Sequence, residues 1–471
     1  MNLSPEARTT MKTLFVAYFY PPTESTGVPG SLRTVKFVRS LNKVESHVLT
    51  GIPQVDPERD ALCHLKLPVN GEHIHRVAAW DIFKLLLRFR ALFRRTKSKE
   101  AAGHSIPVFR TESSNSSTPK SRLQNLKDFI YDLCYFPDQA GPWILPAVVR
   151  GANMVRRHNI DTLFATGSPW SGLIVGYLIS RLTNRPLVVD FRDPWVNNPF
   201  HHSKGRFLDT AAQKLEARIV RHAAAISLNT PPLLDEFVAR YPEARDKFFV
   251  MPNGYDTADF ANITPAQTKR DHSDLVLCHA GFLYGVRDPA VLLNAIRRAN
   301  RLLTGDGVQR RLVFHQIGDV QLGYNLGERF GDLIESGALK IDASQPYKEC
   351  LARLAAADIV VNIQPGTKTQ VPSKLYDYLA IRRPILNITP ADGALGQLVT
   401  TKALGDLFGF EEEDRLVEAL IRIAREPTPD EFAGYPNAHE FNVATISETL
   451  YEKLKAVSAG TRLSRSKASN P

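Results

Sequence analysis

The chain has 471 residues, 43% of them hydrophobic, and its 59 lysines and arginines outnumber its 49 aspartates and glutamates by ten. That length predicts two or three domains, and the hydrophobic content suits globular domains with buried cores. The positive excess favours an anionic partner, such as nucleotide phosphates, an acidic membrane face or nucleic acid, without choosing among them.

Cysteine spacing and hydropathy indicate the compartment. Four cysteines lie far apart without a CxxC pair, and Met1 to Thr10 is polar, so we expect reduced thiols, no signal peptide and a cytoplasmic protein. The longest uncharged run, 162–180, contains Pro169 and several hydroxyl groups, which predicts a strand, a turn and a helix rather than a membrane span. The cysteines are Cys63, Cys134, Cys278 and Cys350.

Short β-branched or apolar runs alternate along the chain with amphipathic runs of helix length. This alternation predicts an α/β fold of doubly wound parallel sheets with helices on both faces. The predicted strands are Lys12–Tyr18, Asp161–Thr166, Pro186–Phe191, Ala224–Leu228, Lys247–Met251, Leu275–Ala280, Arg311–Ile317, Asp358–Ile363 and Pro384–Ile388.

The same alternation of predicted strands and helices starts again near residue 245, which predicts two Rossmann-like domains. One segment, 96–122, interrupts the alternation of strands and helices. It is rich in Ser, Thr, Lys and Pro and can bury little apolar surface. The expected divisions are an N-terminal domain at 11–245 with a mobile, basic insertion at about 56–125, a C-terminal domain at 246–430, helices at 431–459 that return to the N-terminal domain, and a disordered tail at 460–471.

Ligands of doubly wound sheets bind at the carboxyl ends of the strands, so the loops after the strands are the first candidates. After the first strand, a loop with Gly27 and Gly30 leads to a helix near Ser31, with Arg33 in its first turn. Backbone N–H groups and a helix N-terminus suit an anion there. The alternative is an ordinary strand-to-helix turn.

A second loop combines a cation with a helix start. Gly281 ends the strand Leu275–Ala280, and the loop then reaches Asp288 and Pro289, which predict an N-cap and the first helical residue. Arg287 beside free backbone donors suits a diphosphate. The alternative is a plain surface arginine.

A third candidate follows the strand Ile359–Ile363. Lys374 and Asp377 are three residues apart on a predicted helix and so share a face. Lys374 could neutralise phosphate, and the Asp377 carboxylate could accept hydrogen bonds from ribose hydroxyls. The alternative is a surface ion pair.

Two loops of the N-terminal half are placed in the same way. Thr166–Pro169 ends a strand and caps a helix, and the charged trio Asp190, Arg192 and Asp193 stands beside an aromatic residue at the end of the next strand. Charges at a strand end favour a functional role, although Arg192 and Asp193 could form a local salt bridge.

The sequence contains no motif that is typical of a catalytic metal site. The chain has no HExxH or Walker A motif, and no aspartate pair follows an apolar strand. His73 and His75 would share a strand face, but without further ligands we interpret them, like His201 and His202, as structural or solvent-facing. We therefore expect no metal site.

Together these motifs resemble the family-4 glycosyltransferases of the GT-B fold, in particular the bacterial branch of polysaccharide biosynthesis. The resemblance covers most of residues 11–455, except the 50s to 120s. The matching segments are Phe19–Pro22, Phe164–Pro169, Arg192–Trp195, Pro252–Asp256, His279–Pro289 and Pro372–Lys374.

The resemblance implies retaining transfer of a sugar from a nucleotide-sugar donor to a saccharide or lipid-linked acceptor, without a metal or a further cofactor. It implies that Gly27 and Gly281 lie near the donor, that Arg287 and Lys374 bind its phosphates, and that Asp377 binds its ribose.

Three positions depart from that family. Asp377 replaces the second glutamate of the family's motif, which shortens the side chain by one methylene. Thr369 stands where a glutamate usually approaches the donor sugar, and Asp193 occupies roughly the place of a histidine of the N-terminal domain. We expect Asp193 to belong to the catalytic set with Arg287 and Lys374.

The segment Asp81–Arg95 has apolar residues at helical spacing opposite basic ones, which predicts a basic amphipathic helix. It suits an anionic membrane surface and hence a lipid-linked acceptor; the alternative is a helix docked on the N-terminal domain. Two other functions stay open, a non-catalytic GT-B-like scaffold and a nucleic-acid-binding protein. The chain contains no recognisable nucleic-acid module, so we expect no nucleic-acid partner.

Overall fold

The computed structural model describes residues 10–22, 29–53, 65–80, 129–198, 203–261, 263, 274–426 and 432–468. Several sequence predictions lie outside these residues: those for Gly27, for Cys63, for His201 and His202, for the amphipathic segment Asp81–Arg95 and for the loop 96–122. Within the described ranges, no helix is both long enough and apolar enough to cross a membrane.

Fifteen strands within the described residues form two parallel sheets and a short pair. They are β1 Met11–Val16, β2 Val44–Gly51, β3 His73–Val77, β4 Thr162–Gly167, β5 Leu187–Phe191, β6 Ala225–Leu228, β7 Phe248–Val250, β8 Asp274–Ala280, β9 Leu283–Tyr284, β10 Arg311–Ile317, β11 Val320–Gln321, β12 Leu339–Asp342, β13 Ile359–Ile363, β14 Ile385–Ile388 and β15 Asp406–Phe408.

The helices lie between and after these strands. They are α1 Pro29–Ser40, α2 Ile144–His158, α3 Ser171–Thr183, α4 Arg206–His222, α5 Pro231–Arg240, α6 Ala290–Gly305, α7 Leu326–Glu335, α8 Tyr347–Ala356, α9 Lys374–Ile381, α10 Ala394–Lys402, α11 Glu413–Arg425 and α12 Val443–Ala468, with 3-10 turns at Gly141–Trp143, Pro242–Lys247, Thr257–Asp259 and Pro436–Phe441.

Each large sheet has the strand order of a Rossmann fold. The first runs β3-β2-β1-β4-β5-β6-β7 and the second β12-β10-β8-β13-β14-β15, so in both the chain starts in the middle and winds outward in two directions. The reversal of direction leaves a crevice at the carboxyl edge, beside β1 in one domain and β8 in the other.

Helices cover both faces of each sheet, because alternate strand residues point to opposite sides. In β1, Leu14 and Val16 pack with helices α2 to α5, whereas Phe15 packs with α1 and α12. In the second sheet, Leu277 packs with α6, α7 and α11, and Cys278 packs with α8, α9 and α10. Burial on both faces explains why these strands are nearly continuous apolar runs.

The chain returns to the first domain at its end. Four residues of α12 join the core formed by α1 and the first sheet, and the backbone of Val443 donates to the carbonyl of Tyr255 at 2.9 Å. The helix continues to Ala468, although a disordered tail was expected from residue 460. Residues 460–468 contain no proline that would stop a helix already anchored by packing. The four residues are Val443, Ile446, Leu450 and Leu454.

All nine predicted strands are present, and their ends agree within two residues. Of the other six described strands, β2, β9, β11, β12 and β15 were not predicted, and β3 was expected only as the strand that carries His73 and His75. β2 contains Glu45, Ser46 and His47, which break its apolar pattern, yet it is held between β1 and β3. The strand Phe248–Val250 pairs with β6 of the first sheet, although it lies after the expected domain boundary at residue 245.

A buried ion pair ties the strand ends of the first sheet to α1. The Arg33 guanidinium donates to both oxygens of Asp190 and to the carbonyl of Met251 at 2.7 Å. The hydroxyls of Thr166 and Ser227 donate to the same carboxylate at 2.8 and 2.6 Å. Arg33 and Asp190, both candidates at strand ends, are therefore occupied in holding the domain together.

We predict that Asp190→Ala lowers the free energy of unfolding by about 3–5 kcal/mol, because it leaves the Arg33 charge buried and unpaired. Denaturant unfolding followed by circular dichroism measures the change. As a control, Glu448→Ala removes the partner of Lys43 in an exposed pair with an N–O distance of 3.2 Å, and should cost less than about 1 kcal/mol. Equal effects of the two substitutions would contradict the structural role of Asp190.

Candidate functional site

The carboxyl ends of β8, β10 and β13 converge in the second domain, since β8 pairs with both of the others. Gly281 follows β8 and Gly318 follows β10, and the chain after β13 leads to Lys374 at the start of α9. Three loops from distant parts of the sequence thus meet at one edge of the sheet.

Two glycines make this convergence possible. Gly281 has φ +133° and Gly318 has φ +120°, values that favour glycine. A Cβ on Gly281 would lie 2.8 Å from Lys374 Nζ, and one on Gly318 would lie 2.9 Å from the Gly281 carbonyl oxygen. The absence of side chains lets the lysine and the backbone approach each other closely.

Lys374 is half-buried at this point. Its Nζ lies 3.2 Å from His279 Nε2 and 3.3 Å from the carbonyl oxygen of Ala280. Burial and the nearby positive charge of Arg287 lower the pKa of Lys374 to about 7. Among the described residues no carboxylate forms an ion pair with it, so its charge is available to an anion.

His279 holds the lysine through a defined tautomer. The Gln316 amide donates from Nε2 to the carbonyls of Gly281 and Gly318, so its Oε1 accepts from His279 Nδ1 at 2.7 Å. The lone pair of Nε2 is then free to accept from the Lys374 ammonium. Burial and the charges of Lys374 and Arg287 lower the pKa of His279, which keeps the ring neutral.

Arg287 supplies the second positive charge of the site. Its guanidinium lies 5.1 Å from the centre of the Tyr284 ring, and its Nε is buried without a hydrogen-bond partner among the described residues. The adjacent Asp288 is occupied, because it accepts from the backbone N–H of Ala290 at 2.9 Å and from the Tyr324 hydroxyl at 2.7 Å. The Asp288 carboxylate therefore binds the first backbone N–H of α6, although the helix begins at Ala290, one residue later than predicted.

Asp377 lies one turn further along α9 and faces the other domain. Lys36 of α1 places its Nζ 3.7 Å from Asp377 Oδ1 and 3.6 Å from Asp259 Oδ2. Burial raises the pKa of Asp377. A simple surface pair between Lys374 and Asp377 is thus excluded: the lysine bonds to His279, and the carboxylate bridges the domains.

Asp193 also meets the second domain. Gln370 Nε2 donates to Asp193 Oδ1 at 2.8 Å, and the Thr230 hydroxyl donates to the carbonyl of Thr369 at 2.7 Å. Arg192 donates instead to the carbonyls of Gly167 and Ser168, so the local salt bridge between Arg192 and Asp193 is not formed.

The structure thus brings Gly281, Arg287 and Lys374 together and sets Asp377 and Asp193 at the contact between the domains. Four further residues of the site were not recognised from the sequence. Two of them carried a usable signal in the sequence. His279 is a polar residue inside the apolar run of β8, and Lys36 lies on the helix that follows β1. The four residues are Lys36, His279, Gln316 and Gln370.

Two Rossmann-like domains that meet through the loops at their strand ends constitute the GT-B fold. Residues 99–254 match the family described as glycosyl transferase 4-like domain. No curated protein matches the sequence of the chain. The predicted fold is therefore confirmed, and so is the resemblance to GT-B glycosyltransferases.

Solved structures similar to this chain share its fold at low identity. HepE of Anabaena, crystallised with UDP-glucose, is 15% identical with a TM-score of 0.53, covering 95% of this chain and 100% of that one. A glycosyltransferase of Rickettsia africae is 11% identical with a TM-score of 0.55, covering 95% and 98%. The sucrose-phosphate synthase of Thermosynechococcus elongatus is 14% identical with a TM-score of 0.55, covering 95% and 100%.

The pKa of Lys374 generates a prediction about anion binding. A bound diphosphate stabilises the ammonium form of Lys374. Above pH 7 the lysine of the free protein is largely neutral, so binding must also take up a proton. The affinity for inorganic pyrophosphate should therefore fall by at most about tenfold per pH unit. Lys374→Arg keeps its charge and should lack this loss. Calorimetric titration from pH 6 to 9 measures the dissociation constant of pyrophosphate for the wild-type protein and for Lys374→Arg. The ratio of the two constants is followed, because the protonation of pyrophosphate itself affects both equally. A ratio that does not change with pH would contradict the assignment.

Proposed function

We propose that the chain is a glycosyltransferase that moves a sugar from a nucleotide-sugar donor to a saccharide or lipid-linked acceptor in the synthesis of cell-surface polysaccharide or glycoconjugate. The observation that carries this proposal is the pair of cations, Lys374 and Arg287, at the carboxyl edge of a Rossmann-like sheet without carboxylate partners among the described residues. UDP-glucose bound to HepE, a protein of the same fold, supports the donor class.

The site suits the charge that develops during transfer. When the bond between the anomeric carbon and the diphosphate breaks, negative charge gathers on the leaving phosphate, and fixed cations stabilise it. We infer that Lys374 and Arg287 supply those cations, so no metal ion is needed. If configuration is retained, the leaving phosphate oxygen itself takes the proton of the acceptor hydroxyl.

The contacts between the domains suit the exclusion of water from this reaction. Lys36 with Asp377 and Gln370 with Asp193 connect the two sides of the cleft beside the cations. Closing the cleft limits hydrolysis of the donor. We infer that Asp377 binds the ribose, where its carboxylate would accept from hydroxyls, and that Asp193 lies on the acceptor side.

A binding protein without turnover is the second candidate. It is favoured by Thr369, which replaces the glutamate of the resembled family and whose carbonyl is used by Thr230. A panel of nucleotide-sugars, assayed for released nucleotide in the presence of a chelator, distinguishes the two. Release with at least one donor supports the enzyme without metal; binding without release supports the alternative.

We predict that Lys374→Ala and Arg287→Ala each lower kcat/KM by roughly 10²–10³, the scale of removing one preorganised group that stabilises the transition state. Asp377→Asn should chiefly raise KM, because a ribose contact changes little as the bond breaks. Steady-state kinetics on folded variants measure both effects.

Arg298→Ala is the matched control for these substitutions. It also removes a cation from the second domain, but from a solvent-accessible pair with Glu413 of α11 at 2.8 Å. Its kcat/KM should stay near the wild-type value. A folded Lys374→Ala or Arg287→Ala protein with equally normal kcat/KM would remove the cations from the mechanism.

The acceptor is inferred to lie at an anionic membrane surface. The predicted amphipathic helix Asp81–Arg95 motivates this inference, and exposed apolar side chains at Phe207 and within 129–149 support it. Phe207, 68% exposed, packs against Phe129 with a centroid distance of 6.3 Å. The other exposed apolar residues of this part of the chain are Ile130, Tyr131, Leu133, Leu145 and Val149.

We predict that the protein sediments with anionic vesicles and less so at high salt, because exposed charges are screened. Arg88→Glu combined with Arg95→Glu should abolish sedimentation by reversing the basic face. Neutral vesicles are the control. Equal binding to neutral and anionic vesicles, or binding to neither, would refute the membrane partner.

A further inference from the structure

Four histidines from three elements meet at the outer part of the first sheet. His47 lies on β2, His73 and His75 on β3, and His158 is the last residue of α2. The ring of His47 lies 4.7 Å from that of His73, 5.8 Å from that of His75 and 4.8 Å from that of His158, measured between centroids. His73 and His75 therefore have two further histidines beside them, which the sequence interpretation did not include.

The topology explains this convergence. β2 and β3 are parallel neighbours in which His47 pairs with His73 and Leu49 with His75, so the strand histidines share one face. Helix α2 packs on that face, since Leu49 shares a core with residues of α2. A helix that crosses back between parallel strands ends near their amino ends, which brings His158 to the edge of the sheet opposite the cleft.

The cluster contains ring nitrogens that the protein leaves unused. One nitrogen from each of His47, His75 and His158 lies within 4.8 Å of the other two. His47 Nδ1 and His75 Nε2 are buried and have no hydrogen-bond partner among the described residues. Buried polar atoms without a partner cost free energy, so two in one cluster indicate a ligand that they would share.

A carboxylate orients one of these rings. Glu45 Oε1 lies 3.2 Å from His47 Nε2 and also accepts from Lys12 at 2.9 Å. Because a carboxylate can only accept, His47 carries its proton on Nε2 and presents the lone pair of Nδ1. A carboxylate behind a ligating histidine is the usual outer partner of a metal-bound imidazole.

The protonation state also fits a metal ligand. Burial lowers the pKa of His47, and it lowers the pKa of His75 to about 4, so both rings are neutral near pH 7. Neutral imidazole is the form that binds a metal ion. The carbonyl end of α2 favours a cation at His158, whereas Lys12 and the nearby charge of Arg150 oppose one.

We propose that His47, His75 and His158 bind a divalent transition-metal ion of the zinc class, with Glu45 orienting His47. Three imidazoles suit zinc, cobalt or nickel and leave the fourth tetrahedral position to water or to the adjacent His73. Zinc–nitrogen bonds of about 2.0–2.1 Å require nitrogens about 3.4 Å apart, so the rings close inward on binding. The ion would join the edge strand β3 to β2 and α2 and stabilise the N-terminal domain, away from the cations of the cleft.

Titration of the full-length, tag-free protein tests this proposal after metal removal with a chelator. Calorimetry with Zn²⁺ should give one site per chain, and Co²⁺ should develop the visible absorption of a tetrahedral nitrogen site. Zn²⁺ should also raise the Tm of the wild-type protein, because an ion that binds only the folded state stabilises it.

His158→Gln and His47→Gln should each weaken Zn²⁺ binding at least tenfold and abolish the rise in Tm. His439→Gln is the matched control, because this exposed histidine lies outside the cluster, and it should bind as the wild type does. His47 is buried, so if His47→Gln does not fold, His158→Gln at the helix end decides. Absence of a stoichiometric site, or unchanged affinity in folded His158→Gln, would overturn the proposal.

Discussion

A half-buried lysine that has no carboxylate partner among the described residues is unfavourable in a folded chain, and this constraint organises the second domain. Lys374 lies between the His279 ring and the carbonyl of Ala280, with the charge of Arg287 nearby. The arrangement persists because Gln316 fixes the histidine tautomer and Gly281 leaves room for the ammonium. Such a site is stabilised by an anion, which is why the proposed donor carries a diphosphate.

The first domain completes this site instead of standing apart from it. Its internal ion pair between Arg33 and Asp190 fixes the strand ends and α1. From that fixed base, Lys36 reaches Asp377 and Asp193 reaches Gln370. The contact at Asp377 lies one helical turn from Lys374. We therefore propose that closing the cleft and assembling the site are one event.

The sequence predicted the strands and site residues that depend on a local pattern of residues. Apolar runs of strand length, a glycine at a strand end and a lysine opening a helix identified Gly281 with Arg287, and separately Lys374, as candidates. The family resemblance joined them at the phosphates of the donor. It could not predict β2, whose polar residues are explained only by its two neighbours, or the partner of Asp377, which comes from the other domain. The histidine cluster was not predicted either, because only the fold brings His47 and His158 close to β3.

A crystal structure of the protein with a nucleoside diphosphate tests the central claim most directly. The account predicts phosphate oxygens within hydrogen-bonding distance of Lys374 Nζ and of the Arg287 guanidinium, with the Lys374 ammonium still supported by His279. The ribose should lie beside Asp377. A nucleotide bound elsewhere, or one whose phosphates are held without Lys374 and Arg287, would contradict the account.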